Sequence, residues 1–241
     1  MDNINKYFTI WDSVDDSWLH QYQSNTEWKN HAREKILVYK CSSVLDIGAG
    51  TCSQYYEFKN ENPHIDYHAI DISKRFVALG QSNGINIKQG SITDMPYKDQ
   101  EFDGTICLDV LNHQFDYKEQ IIEILRVTKK VAVFSFFKPF LEQNPSSEIS
   151  KYKILKHEDD IVVIEKSNDC AYSFFSKNHI KSFLSNLDIN FNFYTHSKKV
   201  TSCSYDHNKG MWLVVDLDGR VRFVSDLKSS YTPKPFLVIT K

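Results

Sequence analysis

Two glycines, three carboxylates and one imidazole are the groups whose types and spacing could do chemistry in this chain. The run Val44-Leu45-Asp46-Ile47 reads as a buried strand, and Gly48-Ala49-Gly50-Thr51-Cys52 follows it directly. Glycines at those two positions let the backbone turn tightly and approach a ligand closely, and the polar residues after them can open a helix. Asp71 ends a second apolar run, His68-Ala69-Ile70-Asp71, about 20 residues further on, where a carboxylate can accept hydrogen bonds from ribose hydroxyls. Those spacings describe a cleft for a nucleoside-bearing cofactor. Asp109 and His113 follow a further apolar run, and an imidazole is suited to taking a proton near neutral pH.

Two cofactor classes share this geometry. A dinucleotide fold asks for a third glycine or an alanine where this chain has Ser53, so that the helix can pack tightly and offer its N-terminus to a pyrophosphate. Val44–Cys52 instead resembles the first motif of the class I S-adenosylmethionine-dependent methyltransferases, V-L-D-I-G-x-G-x-G, with Cys52 in place of the last glycine. Asp71 matches the acidic residue that closes the second strand in that family. The stretches Gln89–Tyr97 and Glu101–His113 resemble its third and fourth motifs, in order and at the usual separations, so that the likeness runs from about Cys41 to Lys138.

The resemblance implies a cofactor, S-adenosyl-L-methionine, and a set of residues around it. Asp46, Gly48, Ala49, Gly50 and Thr51 would shape the loop near the methionine moiety, and Asp71 and Ile72 would take the ribose side. Ser91 and Ile92 would meet the adenine. The family more often has Asp where Ser91 stands, with Asp94 as a possible substitute. Leu108 would complete the cofactor contacts, while Asp109 and His113 would lie toward the transferred methyl, His113 as a base for the acceptor and Asp109 as a second candidate. A methyl on a sulfonium is already electrophilic, so alignment and exclusion of water are the main tasks of the protein.

Other chemistries are weakly signalled. Metal-dependent O-methyltransferases carry acidic and amide ligands after the fifth strand, where this chain reads Ser135-Phe136-Phe137-Lys138, so no metal is expected. Cys170, Cys203 and His207 lack paired ligand spacing. The fourth motif lacks the Pro-Pro-Tyr form used on nucleobase amines, and Cys107 is not preceded by proline as in cytosine C5 enzymes. With 29 basic and 31 acidic residues the net charge is −2, which creates no field for a phosphate backbone, and a dedicated nucleic-acid surface is not expected. An acceptor that is a small molecule or a sugar hydroxyl is the expectation. The alternatives are a catalytically silent subunit that only holds the cofactor, or an amine or macromolecular acceptor. An oxidoreductase with a dinucleotide stands as a further class.

Five cysteines without C-x-x-C spacing, a start lacking a signal-peptide core and no apolar run near the ~20 residues that span a bilayer together suggest a cytoplasmic protein.

The elements that must hold these groups alternate. Helical spacing from Trp18 to Tyr39 precedes the first strand, and the resemblance makes Tyr7–Trp11 part of a lid. Helices near Ser53–Asn60, after a Ser73 cap, and after Asp116 separate strands ending at Asp71, at Ile85–Lys88, at Gly104–Leu108 and at Val131–Phe136. Strands and helices in alternation predict an α/β fold of the Rossmann-like, doubly wound kind, with a mostly parallel sheet. Beyond it, Tyr152–Lys156 with Ile161–Glu165, and Met211–Val215 with Val221–Val224, predict two inserted β-hairpins, with a Ser176-capped helix and a strand over Ile189–Tyr194 between them. Phe236–Ile239 would close the sheet, antiparallel if the family topology holds. One domain over 1–241 is expected: 1–40 an N-terminal helical lid, 41–138 the cofactor core, and 139–175 and 197–233 inserted β elements.

Overall fold

The structure is a computed structural model and describes residues 10–13, 27–136, 141, 149, 151–166, 170–196, 200–206, 211–216, 221–224 and 234–241. Its centre is a seven-stranded sheet. Strands β1 (Ser43–Ile47), β2 (Asp66–Asp71), β3 (Ile87–Gln89), β4 (Phe102–Leu108) and β5 (Thr128–Ser135) run parallel in the spatial order β3-β2-β1-β4-β5. The order reverses at β1, so the carboxyl ends of β1, β2 and β4 meet at a switch point, where doubly wound sheets bind ligands.

Alternation along each strand sorts side chains to two covered faces. Val44, Tyr67, Ala69, Ile106, Val131 and Val133 pack on one face under helices α1 (Glu27–Val38), α2 (Ser53–Glu61) and α3 (Lys74–Ser82). Leu45, Ile47, Ile70, Cys107, Ala132 and Phe134 pack on the other, under α4 (Lys118–Val127) and α5 (Lys177–Ser185). Ser73 and Ser176 cap α3 and α5 as their sequence positions suggest, each hydroxyl accepting the backbone N–H three residues on at 3.3 Å. Asp116 accepts the Lys118 N–H at 2.8 Å at the start of α4.

Two insertions differ from the expected hairpins by one strand each. The first is a three-stranded antiparallel sheet of β6 (Lys153–His157), β7 (Ile161–Lys166) and β8 (Cys170–Phe175). The second joins β10 (Val200–Asp206), β11 (Met211–Asp216) and β12 (Val221–Val224). Between them lie α5 and β9 (Asn190–His196). The last strand, β13 (Lys234–Thr240), enters the main sheet between β5 and β9 and runs antiparallel to both, as the family likeness implied.

Strands β7 and β8 of the first inserted sheet are buried on both faces. Ile161, Val163, Ala171 and Phe175 join the core beneath α4 and α5, while Val162, Ile164, Tyr172 and Phe174 form a cluster of their own on the opposite side. This explains why β8 eluded the alternation rule. Cys-Ala-Tyr-Ser-Phe-Phe has no polar face because neither side of that strand meets water.

Helix α1 is pinned to α2 by a buried arginine. Arg33, 1% exposed, donates to Gln54 at 3.0 Å, to the Asn30 side chain at 2.8 Å and to both carboxylate oxygens of Glu61 at 3.0 and 3.3 Å. Of the expected N-terminal helices, only this one falls within the described residues; Trp18 to Thr26 and Tyr7 to Thr9 lie outside them. Arg33→Ala should cost about 3 kcal/mol in urea unfolding, through lost packing and an unpaired Gln54. Glu61→Gln should cost under about 1 kcal/mol, because that carboxylate is half exposed and Arg33 keeps its other partners.

Candidate active site

The parallel register lines up the strand ends. Ile47 lies beside Ile70 and Cys107, Asp71 beside Gln89, and Leu108 beside Ser135. Residues that follow these positions therefore gather along one edge of the sheet, and all the cofactor and catalytic candidates do so.

The loop after β1 is built on positive φ angles. Gly48 (φ 69°) and Gly50 (φ 54°) both adopt the left-handed region, and so does Cys52 (φ 56°), where the family pattern has its third glycine. Cys52 accepts that strain while fully buried, with its sulfur close to Gly80. The amides of Gly48 and Ala49 donate to the Ile70 carbonyl at 2.8 and 3.3 Å, which ties the turn to β2. A Cβ on Gly48 would come within 2.4 Å of Val110, so the backbone there is packed against the segment after β4. A Cβ on Gly50 would meet nothing within 4 Å. The turn thus presents its second glycine to open space beside Asp71.

Asp71 is the clasp of this site. One carboxylate oxygen accepts the Gly50 N–H at 2.8 Å and the other accepts the Ser73 N–H at 2.9 Å. The residue is 7% exposed, and burial pushes its carboxyl above the usual carboxylate range, against the lowering effect of the Ser73 and Gly50 amides. A carboxylate has about four lone-pair positions, so these two bonds leave capacity for further donors such as ribose hydroxyls. Ile72, beside it, is 40% exposed and offers an apolar surface.

Asp46 lies one layer below. It accepts the Tyr67 hydroxyl at 2.6 Å and is buried on the face that carries α1 and α2. Burial pushes its carboxyl up to about 6, against the opposing pull of the Tyr67 hydrogen bond and the Lys29 charge. Lys29 itself reaches Ser53 at the start of α2, with Nζ 3.3 Å from the hydroxyl. Thr51 is buried within the loop.

Ser91 and Ile92 follow β3. The Ser91 hydroxyl bonds the Thr93 hydroxyl at 2.8 Å and accepts the Thr93 N–H at 3.3 Å, while Ile92 is buried against the main core. Asp94 is exposed and its amide returns to the Ser91 carbonyl.

After β4 the chain turns sharply. Asp109 has φ 61°, its N–H donates to the Ser135 hydroxyl at 2.9 Å, and that hydroxyl donates back to Asp109 Oδ1 at 2.9 Å. Leu108 is half-buried beside it. A short helical turn over Leu111–His113 then carries the imidazole. His113 Nδ1 lies 3.1 Å from the Ala171 carbonyl of β8, and the ring is flanked by Trp11 (centroids 4.9 Å, edge-on) and Tyr172 (4.8 Å).

Trp11 belongs to a turn over Ile10–Asp12 that crosses this edge. Ser73 donates to the Trp11 carbonyl at 3.2 Å and to the Asp12 carboxylate at 2.8 Å, so the turn touches the Asp71 side and the His113 side together. Ser73, Ser135, Tyr67, Ala171 and Tyr172 are site residues that the motifs did not reveal. Each acts through a partner far away in sequence, and no local pattern marks such a pair.

No group of three or more metal-ligating side chains occurs among the described residues, and the histidine of the Cys203 and His207 pair lies outside them. No helix among the described residues is long and apolar enough to cross a membrane.

A doubly wound sheet with an acid-clasped glycine turn at its switch point defines a Rossmann-like protein that binds a nucleoside cofactor. Residues 40–186 match the methyltransferase-domain family, and the chain belongs to that family. The stretch so identified is a methyltransferase domain, and its cofactor is S-adenosylmethionine. Curated relatives are demethylmenaquinone methyltransferases: that of Corynebacterium efficiens is 26% identical over 117 residues, 47% of this chain and 50% of the relative. One from Corynebacterium glutamicum is 25% identical over the same extent. The chain spans about half the length of the curated relatives it matches. Among solved structures, a SAM-dependent methyltransferase from Archaeoglobus fulgidus superposes with TM-score 0.59 at 14% identity, covering 94% of this chain and all of that one. A complex of the Haloferax volcanii Trm112 activator with a putative methyltransferase gives TM-score 0.55 at 12% identity, covering 83% and 81%. At those identities the likeness is one of fold.

The residues fit the adenosyl cofactor, since Gly50 faces open space at the point where Asp71 retains accepting capacity. Burial also sets a pH signature. A carboxyl whose value is raised to about 6 on folding stabilises the fold when protonated and loses that contribution as pH rises through 6. Asp46→Asn keeps an acceptor for Tyr67 and cannot ionise. The parent should therefore gain on this variant by up to about 3 kcal/mol as pH falls from 7 to 4, read by urea unfolding at each pH.

Proposed function

We propose that this enzyme methylates a hydroxyl of a small molecule or sugar, with His113 as the base. The observation that carries this reading is the half-buried imidazole among aromatic rings at the end of β4, on the same edge as the glycine turn. The curated relatives, by their names, act on a small molecule, which supports the same class of acceptor.

When bound, S-adenosylmethionine supplies an electrophilic methyl, whose transfer leaves the C–S electron pair on sulfur. Asp71 holds the ribose hydroxyls while it clasps the Gly50 and Ser73 amides. Gly48, Ala49, Gly50 and Thr51 contour the methionine side, with Asp46 setting the loop from below. Ile72, Ser91, Ile92 and Leu108 contact the nucleoside. His113 takes the proton of the acceptor hydroxyl, and Asp109, tied to Ser135, shapes the turn that presents it. The Ile10–Asp12 turn works as the lid of an N-terminal segment, 1–40, on a single domain. It excludes water from the reacting groups through Trp11. The inserted β elements wall the acceptor side. We place the chain in the cytoplasm, where Cys41, Cys52, Cys107 and Cys170 remain as free thiols.

The two glycines separate folding from binding. Gly48→Ala should destabilise the protein by about 2 kcal/mol or more, because its Cβ collides with Val110 at a positive φ. Gly50→Ala should cost about 1 kcal/mol in stability yet abolish measurable cofactor binding by calorimetry, since its Cβ enters the ligand space. Asp71→Ala should weaken cofactor binding by roughly 30- to 1000-fold, about 2–4 kcal/mol. Unchanged affinity in the folded Asp71 variant would remove it from the site.

The acceptor is tested by methyl transfer from labelled S-adenosylmethionine across a panel of phenols, sugars, amines and proteins. Transfer to hydroxyl compounds, slowed in His113→Ala with cofactor affinity kept, is the expected result. Transfer confined to amines or proteins would overturn the hydroxyl assignment.

A further inference from the structure

The loop that follows β4 is fastened to β8, a strand of the inserted sheet, at three successive points. His113 Nδ1 lies 3.1 Å from the Ala171 carbonyl, Asn112 Nδ2 donates to the Ser173 carbonyl at 2.8 Å, and the Ser173 hydroxyl donates to the Gln114 carbonyl. Asn112 is 1% exposed and Ser173 is fully buried, so these bonds form away from water, where each is costly to break. The same insertion is braced further out. Lys118 on α4 pairs with Asp160 at 2.7 Å, and Lys156 donates to the Phe115 carbonyl at 3.3 Å.

A carbonyl oxygen can only accept. The His113–Ala171 bond therefore requires the hydrogen on Nδ1, and in the neutral ring this leaves the lone pair on Nε2. Tyr172, the next residue of β8, lies against one side of the ring, and Trp11 meets it from another direction. Orientation, tautomer and packing of the imidazole are thus supplied largely by an element outside the cofactor motifs. Cys170, at the start of the strand, has its sulfur 3.8 Å from Nδ1.

We propose that β8 is a positioning element for catalysis: its Ala171 carbonyl holds His113 in the Nδ1–H tautomer, so that Nε2 is the atom that receives the acceptor's proton. The proton lost by the hydroxyl ends on Nε2, and the resulting imidazolium keeps its Nδ1–H bond to the carbonyl, which stabilises the positive charge. This rests on the assignment of His113 as the base and adds the group that orients it. It also gives the inserted sheet a task that a covering layer would not have.

Long-range proton–nitrogen NMR of the full chain with labelled histidine reads the tautomer directly, at pH about 8.5, where imidazoles are ordinarily neutral. The His113 signals are assigned by their loss in His113→Gln. The expected spectrum shows His113 protonated at Nδ1 and bare at Nε2. In the Asn112→Ala, Ser173→Ala double variant, or in Ser173→Ala alone should the double variant not fold, the Nε2–H form should appear beside it. An Nε2–H ring in the parent overturns the proposal, as does an unchanged Nδ1–H ring in a folded variant whose β8 links are cut. Neither reading involves the acceptor. A wrong base assignment would show separately, as undiminished methyl transfer by His113→Asn to an acceptor that the parent methylates, since Asn can imitate Nδ1–H but has nothing at Nε2.

Discussion

The two bonds that the Asp71 carboxylate makes, to the Gly50 and Ser73 amides, are the constraint on which the cofactor edge depends. A buried carboxylate must be satisfied by donors, and here the donors are backbone groups from two separate turns. One carboxylate therefore fixes the turn after β1 against the first turn of α3. It does so without a side-chain partner that could swing away. The arrangement of the glycine turn, from the open face of Gly50 to the close packing of Gly48 on Val110, presupposes that clasp.

A second layer of control comes from the opposite direction. The segment after β4 is held by Ser135 at Asp109 and by β8 at Asn112 and His113. On the proposed reading, the cofactor side is organised by the parallel sheet itself, and the acceptor side by an addition to it. Trp11 and Asp12 connect the two, since one turn reaches both Ser73 and His113. The division has a physical logic: the adenosyl group demands a constant cradle, whereas an acceptor pocket is set by elements that can vary without disturbing the sheet.

Much of this was legible in the amino-acid order, and the misses have definable causes. Strands β1, β2 and β4 declare themselves because each is an apolar run punctuated by glycine or aspartate, and β5 because Val131–Phe134 is an unbroken apolar run after two lysines. The caps Ser73 and Ser176 sit where a helix must begin. The gathering of Asp46, Gly48, Gly50, Asp71, Asp109 and His113 on one edge follows from parallel topology once the alternation is read. What could not be read was any feature resting on distant pairs. Both insertions contain three strands where two were expected. Strand β8 is apolar throughout because both of its faces are covered, and β10, Val-Thr-Ser-Cys-Ser-Tyr-Asp, is too polar to stand out from a loop. Arg33 looks like an ordinary charge on a helix, yet it is almost wholly buried because Gln54 and Glu61 meet it from α2.

The place of β13 bears on how the chain reaches this state. Residues 234–240 fill a slot between β5 and β9, strands formed from residues up to about a hundred positions earlier. On a ribosome, where earlier segments fold first, β5 must wait with one edge of amide and carbonyl groups exposed until that late segment emerges. Such an edge is a template for stray pairing with other nascent chains. The interval between synthesis of β5 and arrival of β13 is therefore the period of greatest aggregation hazard, and the demand for chaperone protection should be concentrated there.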